Sequence, residues 1–156
     1  MAINTTFVSG AVLTAAQANN LPWGVAGSQT LTTAFATVNP NQTLQDTGQT
    51  VTITAVMNRI YKVTWTNQPY DFGGNNTIIF ALLVGGVEQQ RISLNRELFD
   101  NVNHSTFSNF AFYTAVASGS LIFKMQMAAV NANTVVNDFG SSTFKRTMVV
   151  EDMGLA

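Results

Sequence analysis

Residues 50–66 read TVTITAVMNRIYKVTWT, and this stretch decides the fold class. From Thr50 to Val56 the side chains alternate, with Val51, Ile53 and Ala55 on one face and Thr50, Thr52 and Thr54 on the other. A period of two marks a half-buried strand, because successive side chains of an extended chain point to opposite faces. Met57-Asn58 allows a reversal. Arg59 to Thr66 then alternates again, with Tyr61, Val63 and Trp65 inward and Lys62, Thr64 and Thr66 outward.

Working outward, the same texture continues. Residues 30–38, TLTTAFATV, are β-prone and end in the turn-forming Asn39-Pro40-Asn41. Tyr70 to Asn76 reads as a loop. Thr77 to Val84 is almost wholly apolar, as a strand covered on both faces would be, and Gly85-Gly86 is a hairpin signal leading into Val87 to Leu94. Asn95 to Ser105 is a longer connection. Thr106 to Ala117 and Ser120 to Val130 read as a hairpin about Ser118-Gly119, Asn131 to Ser142 as a loop, and Thr143 to Val150 as the closing strand. About eight strands without a long helix predict an all-β antiparallel β-sandwich, jelly-roll-like, over 28–156.

Residues 1–27 have a different character. No Asp, Glu, Lys, Arg or His occurs from Ala2 to Gln45, so all fifteen charged residues lie from Asp46 onward. A neutral segment of this kind reads as an arm that meets protein rather than water, the alternative being a neutral strand and loop packed on its own domain. Thr14-Ala-Ala-Gln17 fits a capping box, and Asn19-Asn20 with Pro22 end the short helix it opens. One or two helical turns are unstable alone. Contacts must therefore hold this one, and Phe7, Val12, Leu13, Thr14, Gln17, Leu21, Pro22 and Trp23 are the candidate docking residues.

Composition removes several function classes. Charged residues are only 10% of the chain and the net charge is −1, so no phosphate-tracking surface is expected and nucleic acid is not a partner. Cysteine is absent, which excludes disulfides and thiolate metal sites. MAINTTF lacks the blocks of a secretion signal, and the longest apolar run, Ile78 to Val84, is too short to span a membrane.

Catalytic chemistry finds little support. His104 is the single histidine, and its neighbours Asp100 and Ser105 belong to the same loop, whereas triad members converge from separate segments. Asp71, Glu97 and Asp138 show no spacing that pairs them for acid–base work. No metal, no cofactor and no enzyme activity are expected. The aromatics Tyr61, Trp65, Phe107, Phe110, Phe112, Tyr113 and Phe123 fall on alternating strands and read as core rather than as a carbohydrate platform. Tyr70, Asp71 and Phe72 sit on a loop and are the candidate contacts to a ligand or neighbouring subunit.

The arm FVSGAVLTAAQANNLPWGV resembles the opening of small structural proteins of tailed bacteriophages, at Phe7, Gly10, Leu13, Thr14, Ala15, Asn19 or Asn20, Leu21, Gly24 and Val25. The terminal VVEDMGLA looks like the end of the same proteins, with Leu155 where proline is often found. RIYKVTWT and FALLVGGVEQQ are similar to strands of the tumour-necrosis-factor/C1q-like jelly rolls found in phage fibre and decoration proteins. The resemblance implies a virion protein that assembles as a homotrimer with other virion proteins. It would dock by its arm on the tail or its fibres, or alternatively on the capsid as a decoration protein. A carbohydrate-binding module that recognises host glycans is the other alternative.

Overall fold

The computed structural model describes residues 18–38, 43–71, 77–95, 106–130, 135–138 and 140–156. Eleven strands are present among them: β1 Gly24–Leu31, β2 Phe35–Val38, β3 Gln45–Ala55, β4 Arg59–Asn67, β5 Pro69–Asp71, β6 Thr77–Val84, β7 Val87–Asn95, β8 Phe107–Thr114, β9 Gly119–Ala129, β10 Val135–Asp138 and β11 Arg146–Leu155. Eight of them form two antiparallel four-stranded sheets, ordered β1-β11-β4-β8 and β3-β9-β6-β7. The three short strands form a small third sheet, β2-β10-β5. The fold is an all-β, jelly-roll-like sandwich, as the alternation predicted.

The core lies between the two large sheets. Val51, Ile53 and Ala55 of β3 are buried, as are Tyr61, Val63 and Trp65 of β4, so both halves of the 50–66 stretch point inward as read. Phe80, Leu82, Phe123, Met125, Met127, Met148 and Val150 complete it. Tyr61 and Tyr113 set their rings against Phe123, with centroids 6.5 and 6.2 Å apart. On β6, Ile79 and Ala81 are buried as well as the inward residues, in keeping with its unbroken apolar sequence.

The structure corrects several local expectations. Residues 30–38 are not one strand, because β1 ends at Leu31 and β2 begins at Phe35. β1 starts at Gly24, inside the segment read as arm. Tyr70 and Asp71 belong to β5, and Val135–Asp138 interrupts the loop expected at 131–142. Of the arm helix, Ala18 and Asn19 are helical, and the rest lies outside the described residues.

The pairing of β8 with β9 about Ser118-Gly119 is also corrected. β8 pairs with β4, and β9 pairs with β3 and β6. The links β3–β4 and β8–β9 are arches that carry the chain from one sheet to the other, and they lie side by side. Asn58 N–H donates to the Ala115 carbonyl at 2.8 Å and Met57 N–H to Ser118 Oγ at 2.9 Å, so each turn bonds to the other. Among the described residues a true hairpin forms only at β6–β7, where Gly85 and Gly86 both take the positive φ that a two-residue turn requires.

A buried polar hub fastens the third sheet to the sandwich. Asp138 is fully buried and accepts from Arg146 Nη1 at 3.3 Å, from the Gln68 N–H at 2.9 Å and from Asn67 Nδ2. Arg146 also donates to the carbonyls of Thr33 and Thr47. Burial raises the Asp138 carboxyl from 3.8 to about 6, against the opposing pull of Arg146, Asn67 and Gln68. The folded state therefore holds this proton to higher pH than the unfolded chain does. Its contribution to stability is complete below the unfolded value and is lost as pH rises through about 6. Urea denaturation across pH checks this. From pH ~4 to ~7 the wild type is expected to lose stability relative to Asp138→Asn by a few kcal/mol. The depressed carboxyls of Asp46 and Glu88 are common to both proteins and cancel.

Candidate binding site

The first feature that bears on function is the joint between arm and body. Arg59, the first residue of β4, is 1% exposed, and its Nε and Nη2 form a two-point ion pair with Asp152 of β11, both contacts at 2.6 Å. The same guanidinium donates to the Leu21 carbonyl at 2.6 Å and to that of Asn19. Trp23 lies over it, the guanidinium carbon 3.9 Å from the ring centroid. Gly154, at φ +100°, lies so close that an added Cβ would stand 2.8 Å from the Asn20 carbonyl oxygen. Residues 19–23 are thus part of the body's surface, clamped where β1 begins.

The second feature is the outer face of the β1-β11-β4-β8 sheet. The register sets Phe110 opposite Thr64 and Phe112 opposite Lys62. Because β8 continues the alternation, Phe107 and Tyr113 turn toward the core while Phe110 and Phe112 turn out, 50% and 59% exposed. Their rings meet edge to face at 5.6 Å. Lys62 Nζ stands 5.7 Å from the Phe110 centroid and 3.5 Å from Glu151 on β11. Thr66 and Ser108 bring hydroxyls to the same face, 3.3 Å apart. Two uncovered rings bordered by hydroxyls and a charge pair make a flat amphipathic platform.

The opposite sheet carries a groove of about 370 Å³ beside the β6–β7 turn, with Leu83, Ile122, Lys124 and Gln126 among its walls. Its polar tips are already engaged, since Lys124 and Gln126 both donate to Asp46 at 2.9 and 2.7 Å. The Gln126 and Lys124 donors hold the Asp46 carboxyl below its ordinary value. A dip between β8 and β9 has only about 90 Å³, too small for an ordinary small-molecule site. The platform therefore has the larger share of unused binding chemistry. Arg59, Lys62, Arg91, Lys124 and Arg146 are each paired to a carboxylate. Among the described residues, no group of three or more His, Cys, Asp or Glu could hold a metal ion.

The residues singled out in the sequence are distributed as follows. Leu21, Pro22 and Trp23 lie at the joint, exposed but attached to their own body. Phe7, Val12, Leu13, Thr14 and Gln17 lie outside the described residues, as do Phe72 and His104. Tyr70 and Asp71 pair through their backbones with Asn137 and Val136 of β10. Core packing holds for Tyr61, Trp65 and Phe123 and in part for Phe107 and Tyr113, but it fails for Phe110 and Phe112. The available signal was phase: 107 and 113 are odd, 110 and 112 even, so the four cannot share one face of a strand.

No family model matches the chain, and no curated protein does. Among solved structures, the C-terminal domain of EclA, described as a sugar-binding protein, aligns with a TM-score of 0.43 at 14% identity, over 76% of this chain and 77% of that one. A family 35 carbohydrate-binding module from Cellvibrio japonicus Abf62 aligns with a TM-score of 0.42 at 17% identity, over 83% and 99%. A further family 35 module, from an environmental isolate, aligns with a TM-score of 0.39 at 13% identity, over 85% and 90%. These likenesses concern the β-sandwich and carry no ligand with them.

Removing the arginine at the joint would leave Asp152 buried without its counter-charge. Arg59→Ala is expected to cost roughly 3–5 kcal/mol and to open residues 19–23 to proteolysis. Trp23→Ala should cost only about 1 kcal/mol, since it removes one cation–π face and little buried area. Denaturant titration of the two variants ranks these costs, and equal small losses would show that the clamp does not hold the joint.

Proposed function

We propose that this chain is a non-catalytic module that binds carbohydrate on the outer face of its β1-β11-β4-β8 sheet. The observation that carries this reading is the pair of uncovered rings, Phe110 and Phe112, next to Lys62, Glu151, Thr66 and Ser108. An exposed ring stacks on the C–H face of a sugar, while hydroxyl and charged groups beside it exchange hydrogen bonds with sugar hydroxyls. An open sheet face suits a polymer, which can run across it without an enclosing pocket.

A second reading, a bacteriophage virion subunit on the tail, its fibres or the capsid, is favoured by the joint. The segment ahead of β1 carries no charge, and residues 19–23 are fixed at a single point on the body. A neutral arm leaving from a fixed point is suited to docking in a larger assembly while the sandwich stands outward. The two readings are compatible, since a virion subunit can present a glycan-binding body. Immunogold labelling of purified virions with antibody against residues 28–156 tests the second: gold on tail or head supports it, and unlabelled intact particles reject it.

The carbohydrate reading is tested by affinity electrophoresis of the full chain in gels containing soluble xylan, mixed-linkage glucan, galactomannan or a bacterial O-polysaccharide. Retardation in at least one gel is expected. Phe110→Ala and Phe112→Ala should each weaken it about tenfold or more, with the fold retained by circular dichroism and only a modest loss in melting temperature, since both rings are about half exposed. Migration that no polysaccharide alters, or retardation that survives the double substitution, would reject the platform.

A further inference from the structure

Among the described residues, β1, β8, β3 and β7 stand at the edges of the two large sheets. Unpaired edges invite association, and stable proteins blunt them with bulges, charges or cover. Three of these edges are blunted. β1 is bulged between Val25 and Gly27, and its Gln29 Oε1 accepts the Thr50 N–H of β3 at 2.6 Å, so the β1 and β3 edges close on each other. β7 carries the Glu88–Arg91 ion pair at 2.6 Å and lies opposite a register shift at Leu82/Leu83.

β8 has none of these devices. Its sequence, FSNFAFYT, has no charge, no proline and no glycine, and it pairs with β4 for eight residues without a register shift. Ala115 N–H turns toward the Arg59 carbonyl at 2.9 Å. Antiparallel alternation then turns the N–H groups of Ser108, Phe110, Phe112 and Thr114 outward from the sheet edge. The Phe110 N–H is met at 2.8 Å by Oδ1 of its own neighbour Asn109, where the carbonyl of an adjoining strand would otherwise sit.

We propose that β8 pairs antiparallel with β8 of a second copy of this chain, about a two-fold axis at Ala111, to give one continuous eight-stranded sheet. A second copy fits because the strand is complementary to itself. In this register Phe110 faces Phe112 and Ser108 faces Thr114 across the axis, and every contact is uncharged. The nearest charges, Lys62 and Glu151, neutralise each other within each copy. Like-charge repulsion, which commonly prevents self-pairing, is absent, and cross-strand aromatic pairs favour the register. The pairing stands whether or not the platform binds carbohydrate. Where the platform does bind, two platforms join on one surface.

Sedimentation velocity of the full chain across a wide concentration range tests the pairing, with a dimer expected. Ser108→Pro and Thr114→Pro each remove an outward N–H of the outermost cross-axis pair without removing a β4 hydrogen bond. Both are expected to be monomeric at concentrations where the wild type is dimeric, with unchanged circular dichroism and a cooperative melt. Gln89→Lys on the β7 edge should remain dimeric. A monomeric wild type, a trimer, or a dimer that survives both β8 substitutions would overturn the proposal.

Discussion

Burying a guanidinium in a dry interior is costly unless an acid lies beside it and its N–H groups find acceptors. This chain meets that condition twice, at opposite ends of the paired strands β4 and β11. Arg59, at the start of β4, binds Asp152 near the end of β11. Arg146, at the start of β11, binds Asp138 beside Asn67 at the end of β4. Each guanidinium then reaches carbonyls far away in sequence, at Asn19 and Leu21 or at Thr33 and Thr47. A one-residue slip of β4 against β11 would strand both cations and turn Tyr61, Val63 and Trp65 to the outside. The apolar core supplies the bulk of the cohesion, and the two arginines restrict it to one register.

The division between a closed interior and an open outer face follows from this arrangement. With the ends of the sandwich tied by buried charge, its outer faces carry threonine, serine, a few ion pairs and single apolar side chains such as Ile122 and Met153. On one of those faces two phenylalanines remain uncovered. Each ring is about half exposed, and its open half is the part left for the proposed contacts. The proposed sugar platform and the proposed β8 pairing share the side chains of Phe110, Phe112 and Ser108, and the pairing adds the backbone edge of the same strand.

Much of the fold was legible because burial on one face imposes a period of two. The phase of β3 and β4 could be read directly from 50–66, and the covering of both faces of β6 from 77–84. Partnership between strands was not legible in the same way. A short polar turn can close a hairpin or arch across to the opposite sheet. The signal for the hairpin was two glycines in succession, Gly85-Gly86, both at positive φ, whereas the arches hold single positive-φ residues, Asn58 and Gly119. The Ser118-Gly119 turn lacked that signature and was misread. The joint was hidden for another reason: Arg59 and Asp152 are 93 positions apart, and neither residue differs locally from an ordinary surface charge. The platform was hidden by composition, since aromatics occur on both faces of β8 and their number suggested core.

The clamp on residues 19–23 also determines how the molecule bears load. Tension along the arm does not reach Gly24 first, where it would peel β1 from β11 one hydrogen bond at a time. It meets Arg59 and Asp152, and passes from them into β4 and β11, the two central strands of that sheet. The ion pair acts as a strain relief, much as a knot protects a seam. A body tethered by this arm would yield abruptly at the clamp, with its sheet intact until that point.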